Sequence, residues 1–212
     1  MPTITKQAKE RELIPQGTHV ARCYKFMHLG TIMNNFNELR DTVRFTFELP
    51  NELRVFKEED GEQPMSISAE YNNFLGVKTN LYKDLCNWRG QEFTPDELLG
   101  FDLEDVVGAA CMLTITHKTS KKGNKYEVIS AITSLPKGTA CPPQINPTFI
   151  WNYNTKFDLK VLEAMHEYWQ DIIKGSQEFR EAMGLSDAEI IPDNEPPAPQ
   201  DTSGAYDDDL PF

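Results

Sequence analysis

The sequence predicts a mainly β fold with helices, and three observations carry the prediction. From Arg40 to Leu49 apolar and polar residues alternate, with Val43, Phe45, Phe47 and Leu49 on one face and Thr42, Arg44, Thr46 and Glu48 on the other. Further on, Leu81, Leu85 and Trp88 recur at helical spacing. Finally, two strand-like runs bracket a Lys-rich turn between Lys118 and Lys125.

Taken in order, Gly17 opens a strand from Thr18 to Leu29, rich in β-branched and aromatic residues and closed by Gly30 and the polar loop Asn34, Asn35, Phe36, Asn37. Ala21, Cys23 and Met27 lie opposite Arg22, Tyr24 and Phe26, so this strand does not declare which face is buried. The alternating strand 40–49 stops at Pro50, with Asn51 to Phe56 as a candidate continuation of the sheet. Glu58 to Glu62 reads as an acidic loop, and Pro64 to Tyr71 alternates Met65, Ile67 and Ala69 against Ser66, Ser68 and Glu70 as a third strand. A helix follows over 78–88, and Thr94, Pro95, Asp96, Glu97 combines a cap, a first-position proline and early acids at the start of another. Val106 to His117 and Tyr126 to Leu135 then form a hairpin with a basic tip.

Three strands, a helical insertion and a two-strand hairpin is the element order of the OB-fold, a five-stranded, partly open barrel that uses its middle strands and the loops joining strands 1–2 and 4–5 to bind ligands. The barrel is expected over 1–150. After the Pro-rich connector 138–147, Phe157, Val161, Leu162, Met165, Tyr168, Trp169, Ile172 and Ile173 make the stripe of one helix ending at Gly175. This helical extension, 151–185, is expected to pack on the barrel, with a homodimer contact as the alternative. From Ser186 to Phe212 there is no Lys or Arg, and Pro, Asp and Glu dominate, the composition of a disordered acidic tail.

The net charge of −12 is unevenly spread. Residues 111–150 carry five lysines against one glutamate, whereas 186–212 carry eight acids and no base. The acidic balance therefore does not exclude a nucleic-acid partner. Single-strand binders combine a cationic groove with aromatic platforms. Candidates for these roles are Arg22, Tyr24 and Phe26 on the first strand, Phe36 in the first loop, Arg44 on the second strand, and Lys118, Lys121, Lys122, Lys125 and Tyr126 around the hairpin tip. Tyr24 and Phe26 serve equally well as core residues.

Asp207, Asp208 and Asp209 precede Leu210, Pro211 and Phe212, placing carboxylates beside an aromatic residue suited to an apolar pocket rimmed by cations. This run resembles the acidic tip of bacterial and phage single-stranded DNA-binding proteins. The Gly17–Leu49 pattern, the Trp88-Arg89-Gly90 step, the Leu103–Gly108 turn and the Lys-rich hairpin extend the resemblance, loosely over 15–136, to the phage-type members with OB-folds. The resemblance implies sequence-independent binding of single-stranded DNA in replication, recombination and repair, with the tip recruiting replication or repair proteins. An adaptor that engages host replication proteins through the tip without binding DNA is the alternative. The long acidic middle and the helix over 157–174 depart from the commoner bacterial pattern, so its tetramer does not carry over.

Catalytic constellations are poor. His19, His28, His117 and His166 are scattered and show no metal-ligand spacing among themselves or to cysteine, so no metal or other cofactor is expected. No Gly-rich loop leads into Lys-Ser or Lys-Thr. Asp96, Asp102, Glu104 and Asp105 could form a nuclease centre only by converging on a divalent metal, and their order reads instead as a solvated face. A non-enzymatic protein is expected. Cys23, Cys86, Cys111 and Cys141 are dispersed, the N-terminus is polar, and apolar runs fall far short of the roughly 20 residues of a membrane span. The expectation is a soluble chain with reduced thiols in the cytoplasm, that of a bacterial host if the chain is phage-encoded.

Overall fold

The computed structural model describes residues 12–34 and 37–185. Its strands are β1 (Gly17–Met33), β2 (Leu39–Val55), β3 (Glu62–Asn72), β4 (Ala110–Thr119), β5 (Lys125–Thr133) and β6 (Phe149–Trp151). Between β3 and β4 lie α1 (Asn80–Arg89) and α2 (Pro95–Gly100), and after β6 come α3 (Leu159–Glu163), α4 (Glu167–Lys174) and α5 (Gln177–Met183).

The six strands form one open sheet in the order β3-β2-β1-β4-β5, antiparallel throughout except that β6 runs parallel to β1. The expectation of a five-stranded, partly open barrel is met only as a mainly β open sheet, and it departs in two ways. There is a sixth strand, and among the described residues no ladder joins β3 to β5. Instead α1 packs against both of those strands and sets Leu81, Leu85 and Trp88 into the core. The sixth strand has a physical cause in the length of β1. β4 pairs with β1 from Gly17 to Arg22 and then departs, and β6 pairs from Lys25 to Met27, so backbone groups that would otherwise be orphaned are satisfied.

Two cores result. Val43, Phe45, Phe47 and Leu49 of β2, Met65, Ile67 and Ala69 of β3, and Cys111, Leu113 and Ile115 of β4 enclose the first, as their alternation predicts. β1 contributes to both cores, because register shifts between Cys23 and Lys25 and between His28 and Gly30 interrupt its two-residue period. Ala21, Cys23 and Phe26 face the first core, while Met27 and Leu29 face a second one built with Trp151, Leu162, Ile173 and Phe179.

The expected single helix over 157–174 is broken into α3 and α4, the latter ending at Gly175 as expected, and α5 follows as a further helix. The Asp158 carboxylate caps α3, the His166 ring accepts from the Tyr168 amide at the start of α4, and the Ser176 hydroxyl accepts from the Phe179 amide at the start of α5. The stripe nevertheless packs on β1, as expected. The chain approaches closely at Gly30, at φ +83°, where an added Cβ would stand 2.8 Å from Ser176 Cβ. Beside it, Glu178 accepts from the Thr31 amide at 2.5 Å and the Thr31 hydroxyl at 2.7 Å.

The second layer also covers the polar face of β2. Glu48 is wholly buried, and its carboxylate accepts from the Ile145 amide at 2.8 Å, the Asn146 amide at 2.7 Å and Asn146 Nδ2 at 2.8 Å. Thr46 and Ser68, paired at 3.0 Å, are buried too. The four cysteines are free, and burial pushes the Cys23 thiol up to about 12. Among the described residues no helix is long and apolar enough to cross a membrane.

Candidate nucleic-acid interface

The β4–β5 hairpin carries the first group of candidate residues. Lys118 faces Tyr126 and Thr119 faces Lys125 across the ladder, and Ser120 closes the turn by donating its amide to the Asn124 carbonyl and accepting from the Gly123 amide. Gly123, at φ +85°, supplies the left-handed residue the turn requires. Lys118, Lys121, Lys122 and Lys125 are exposed, and Tyr126 is half-buried. None of the four lysines makes an ion pair among the described residues.

The remaining candidates are distributed differently from the sequence expectation. Phe26 is 2% exposed and tilts against Phe45 with ring centres 5.2 Å apart, so it belongs to the core and is corrected as a stacking platform. The bulge at Cys23 and Lys25 turns it inward. Arg22 donates to the Gly108 carbonyl at 2.5 Å and the Pro142 carbonyl at 3.1 Å, which ties the connector to the turn before β4 and leaves it a structural part. Tyr24 is half-buried; burial raises its phenol above the ordinary value, against a hydrogen bond with Ser66. Arg44 is buried between Glu70, with which it pairs, and the Trp169 ring, 4.6 Å from its guanidinium carbon. Phe36 and the run Asp207 to Phe212 lie outside the described residues.

A second cationic and aromatic region, not anticipated from sequence, lies where β1 and β6 meet the α3–α4 corner. An open cleft of about 540 Å³ is lined by Lys25, Phe149, Lys160, Met165, His166 and Trp169, with no carboxylate among its lining residues. Lys25 Nζ stands 4.7 Å from the Phe149 ring centre. Burial, and then the charge of Arg44, lower the Lys25 ammonium from its ordinary value to about 8. The sequence signal is thin, because these residues come from segments more than a hundred positions apart.

The histidines have local roles. His19 contacts Glu52 at 3.1 Å and the Pro15 carbonyl at 2.8 Å, and His117 meets the Ile14 carbonyl at 2.7 Å. His28 joins Asp41 at 2.6 Å, and Glu178 brings a third potential metal ligand within 4.8 Å of both. That trio is invisible to spacing, but its atoms are engaged: Asp41 also accepts from Asn73 at 2.8 Å, and both Glu178 oxygens are taken by Thr31. Burial alone would raise Asp41; hydrogen bonds from His28 and Asn73 outweigh it and hold the carboxyl below its ordinary value. Of the acidic middle cluster, Asp96, Asp102 and Asp105 are exposed as expected. Glu104 departs from that reading, since it accepts from Asn152 at 2.7 Å and from Thr155 and so anchors the segment after β6. Compared with protein-family models and with curated proteins, the chain matches none of them.

Proposed function

We propose that this protein binds single-stranded DNA without sequence preference and protects it during replication or recombination, as a binding protein with no catalytic step. The observation that carries the reading is the β4–β5 tip, where four exposed lysines free of ion pairs among the described residues flank Tyr126 in a chain of net charge −12. Such local concentration of cations against an acidic background suits a phosphate backbone, and the adjacent ring suits an unstacked base. The strand order β3-β2-β1-β4-β5, with α1 between β3 and β4, supports reading the sheet as an OB-fold left open between β3 and β5. In this reading the acidic run Asp207 to Asp209, followed by Leu210, Pro211 and Phe212, recruits replication or repair proteins.

The test is anisotropy with a labelled oligothymidine and a variant carrying alanine at Lys118, Lys121, Lys122 and Lys125. Affinity falls, and the slope of log K against log salt shallows by about 0.7 for each phosphate that is no longer neutralised. Unchanged affinity and slope would overturn the reading.

A specific observation favours a second reading, an adaptor that engages replication proteins without binding DNA. The polar face of β2, where an OB-fold would receive a strand, holds Thr46 and Glu48 buried, with the Glu48 carboxylate beneath the connector. The two readings separate on whether the protein retains any affinity for single strands after residues 207–212 are removed.

A further inference from the structure

The cleft beside Lys25 has a composition that neither the hairpin nor the fold explains. Its lining holds two lysines, a histidine and two aromatic rings and lacks any acid, although the chain carries 33 acidic residues against 21 basic ones. Its volume, about 540 Å³, falls within the range of roughly 300–1,000 Å³ typical of small-ligand sites. The C-terminal layer creates it. β6 supplies Phe149, α3 supplies Lys160, Met165 follows α3, and α4 supplies Trp169, all set against Lys25 of β1.

We propose that this cleft is a nucleotide subsite of the strand-binding surface, taking one unpaired base against Trp169 and Met165 and the adjoining phosphate between Lys25 and Lys160. The inference rests on the single-strand reading above and extends it to a second location, away from the hairpin. An apolar wall with no cation would favour a peptide side chain, and cations with no wall would favour any anion. The combination selects a ligand that carries a flat ring and a negative charge a few bonds apart. A base held in duplex is stacked on both faces and does not enter such a cleft, so the subsite adds preference for single strands. Arg44 fixes the ring it presents: the guanidinium covers one face of the Trp169 indole and pairs with Glu70, holding the ring in place before ligand arrives.

The molecule carries its own reporter. Trp88 and Trp151 are 7% and 0% exposed, while Trp169 is half-buried and lines the cleft. Titrating the full chain with oligothymidine should quench tryptophan emission saturably, and Trp169→Phe should abolish the quenching and weaken, without abolishing, the binding read by anisotropy. Lys160 is exposed, so Lys160→Glu leaves the fold intact and should weaken oligothymidine binding about tenfold, as expected for replacing an attractive phosphate contact by a repulsive one. Lys25→Met gives a second, independent loss. If wild type binds but Trp169 emission is unchanged and Lys160→Glu retains full affinity, the subsite is overturned and strand binding through the hairpin stands. If wild type fails to bind single strands even at low salt, subsite and single-strand reading fall together.

Discussion

The guanidinium of Arg44 lies 4.6 Å from the centre of the Trp169 ring and pairs with Glu70 on the neighbouring strand, linking the outer face of the sheet to α4. It joins layers that are 125 residues apart in sequence. Arg44→Met removes the cation–π contact, worth about 0.5–2 kcal/mol, and leaves Glu70 without its partner. A loss of about 1–2 kcal/mol in denaturant unfolding is expected, and Arg44→Lys should not restore it, because an ammonium cannot stack and pair in the same way.

Glu48 provides a second link, through three hydrogen bonds from Ile145 and Asn146 to one buried carboxylate. Glu48→Ala strands those donors and is expected to cost at least about 2 kcal/mol. It should also expose the connector 138–147 to proteolysis well before global unfolding. Limited proteolysis with mass mapping reads this directly; a connector as resistant as that of wild type would contradict the assigned role.

Phe26 and the hairpin lysines separate packing from binding. Phe26→Ala leaves a cavity in the first core and should cost about 3–5 kcal/mol, with oligothymidine affinity of the remaining folded protein unchanged. Lys121→Ala and Lys122→Ala should do the reverse, weakening affinity with stability held within about 0.5 kcal/mol. Parallel urea titrations and anisotropy on the three variants check both halves.

Lys25 gives a pH dependence with a definite sign. Its ammonium sits at about 8 in the folded protein against an ordinary value of 10.5, so between those pH values the unfolded chain binds more protons than the native one. The contribution of Lys25 to stability therefore rises as pH increases from about 8 to 10.5, and Lys25→Met should remove that part of the slope in unfolding midpoints measured across the window. Affinity for oligothymidine should move oppositely and fall as pH rises through about 8, since the neutral amine no longer holds a phosphate. Parallel slopes for Lys25→Met and wild type would contradict the assignment.

Much of this is legible in the chain. The alternation of Val43, Phe45, Phe47 and Leu49 marks the inner face of β2, the Thr94-Pro95 start marks α2, and the Lys-rich turn marks the β4–β5 tip. The opposite face of β2 misleads because Thr46 and Glu48 are polar yet covered by residues a hundred positions later, and local pattern does not encode a second layer. Phe26 is ambiguous for a related reason. A bulge at Cys23 and Lys25 breaks the two-residue period, and both faces of β1 are buried, so parity alone does not place it. The stripe over 157–174 keeps its helical spacing across the break between α3 and α4, and the His166 cap that divides it is weakly informative on its own. The cleft is the least legible feature, since Lys25, Phe149, Lys160 and Trp169 meet only through the sixth strand.

Anisotropy of the full chain with a labelled oligothymidine and a duplex of equal length, at low and moderate salt, probes single-strand binding itself. Tight binding to the single strand, weakened by salt and clearly stronger than to the duplex, is the expected result. No binding to either, persisting after residues 207–212 are removed, would refute the single-strand reading.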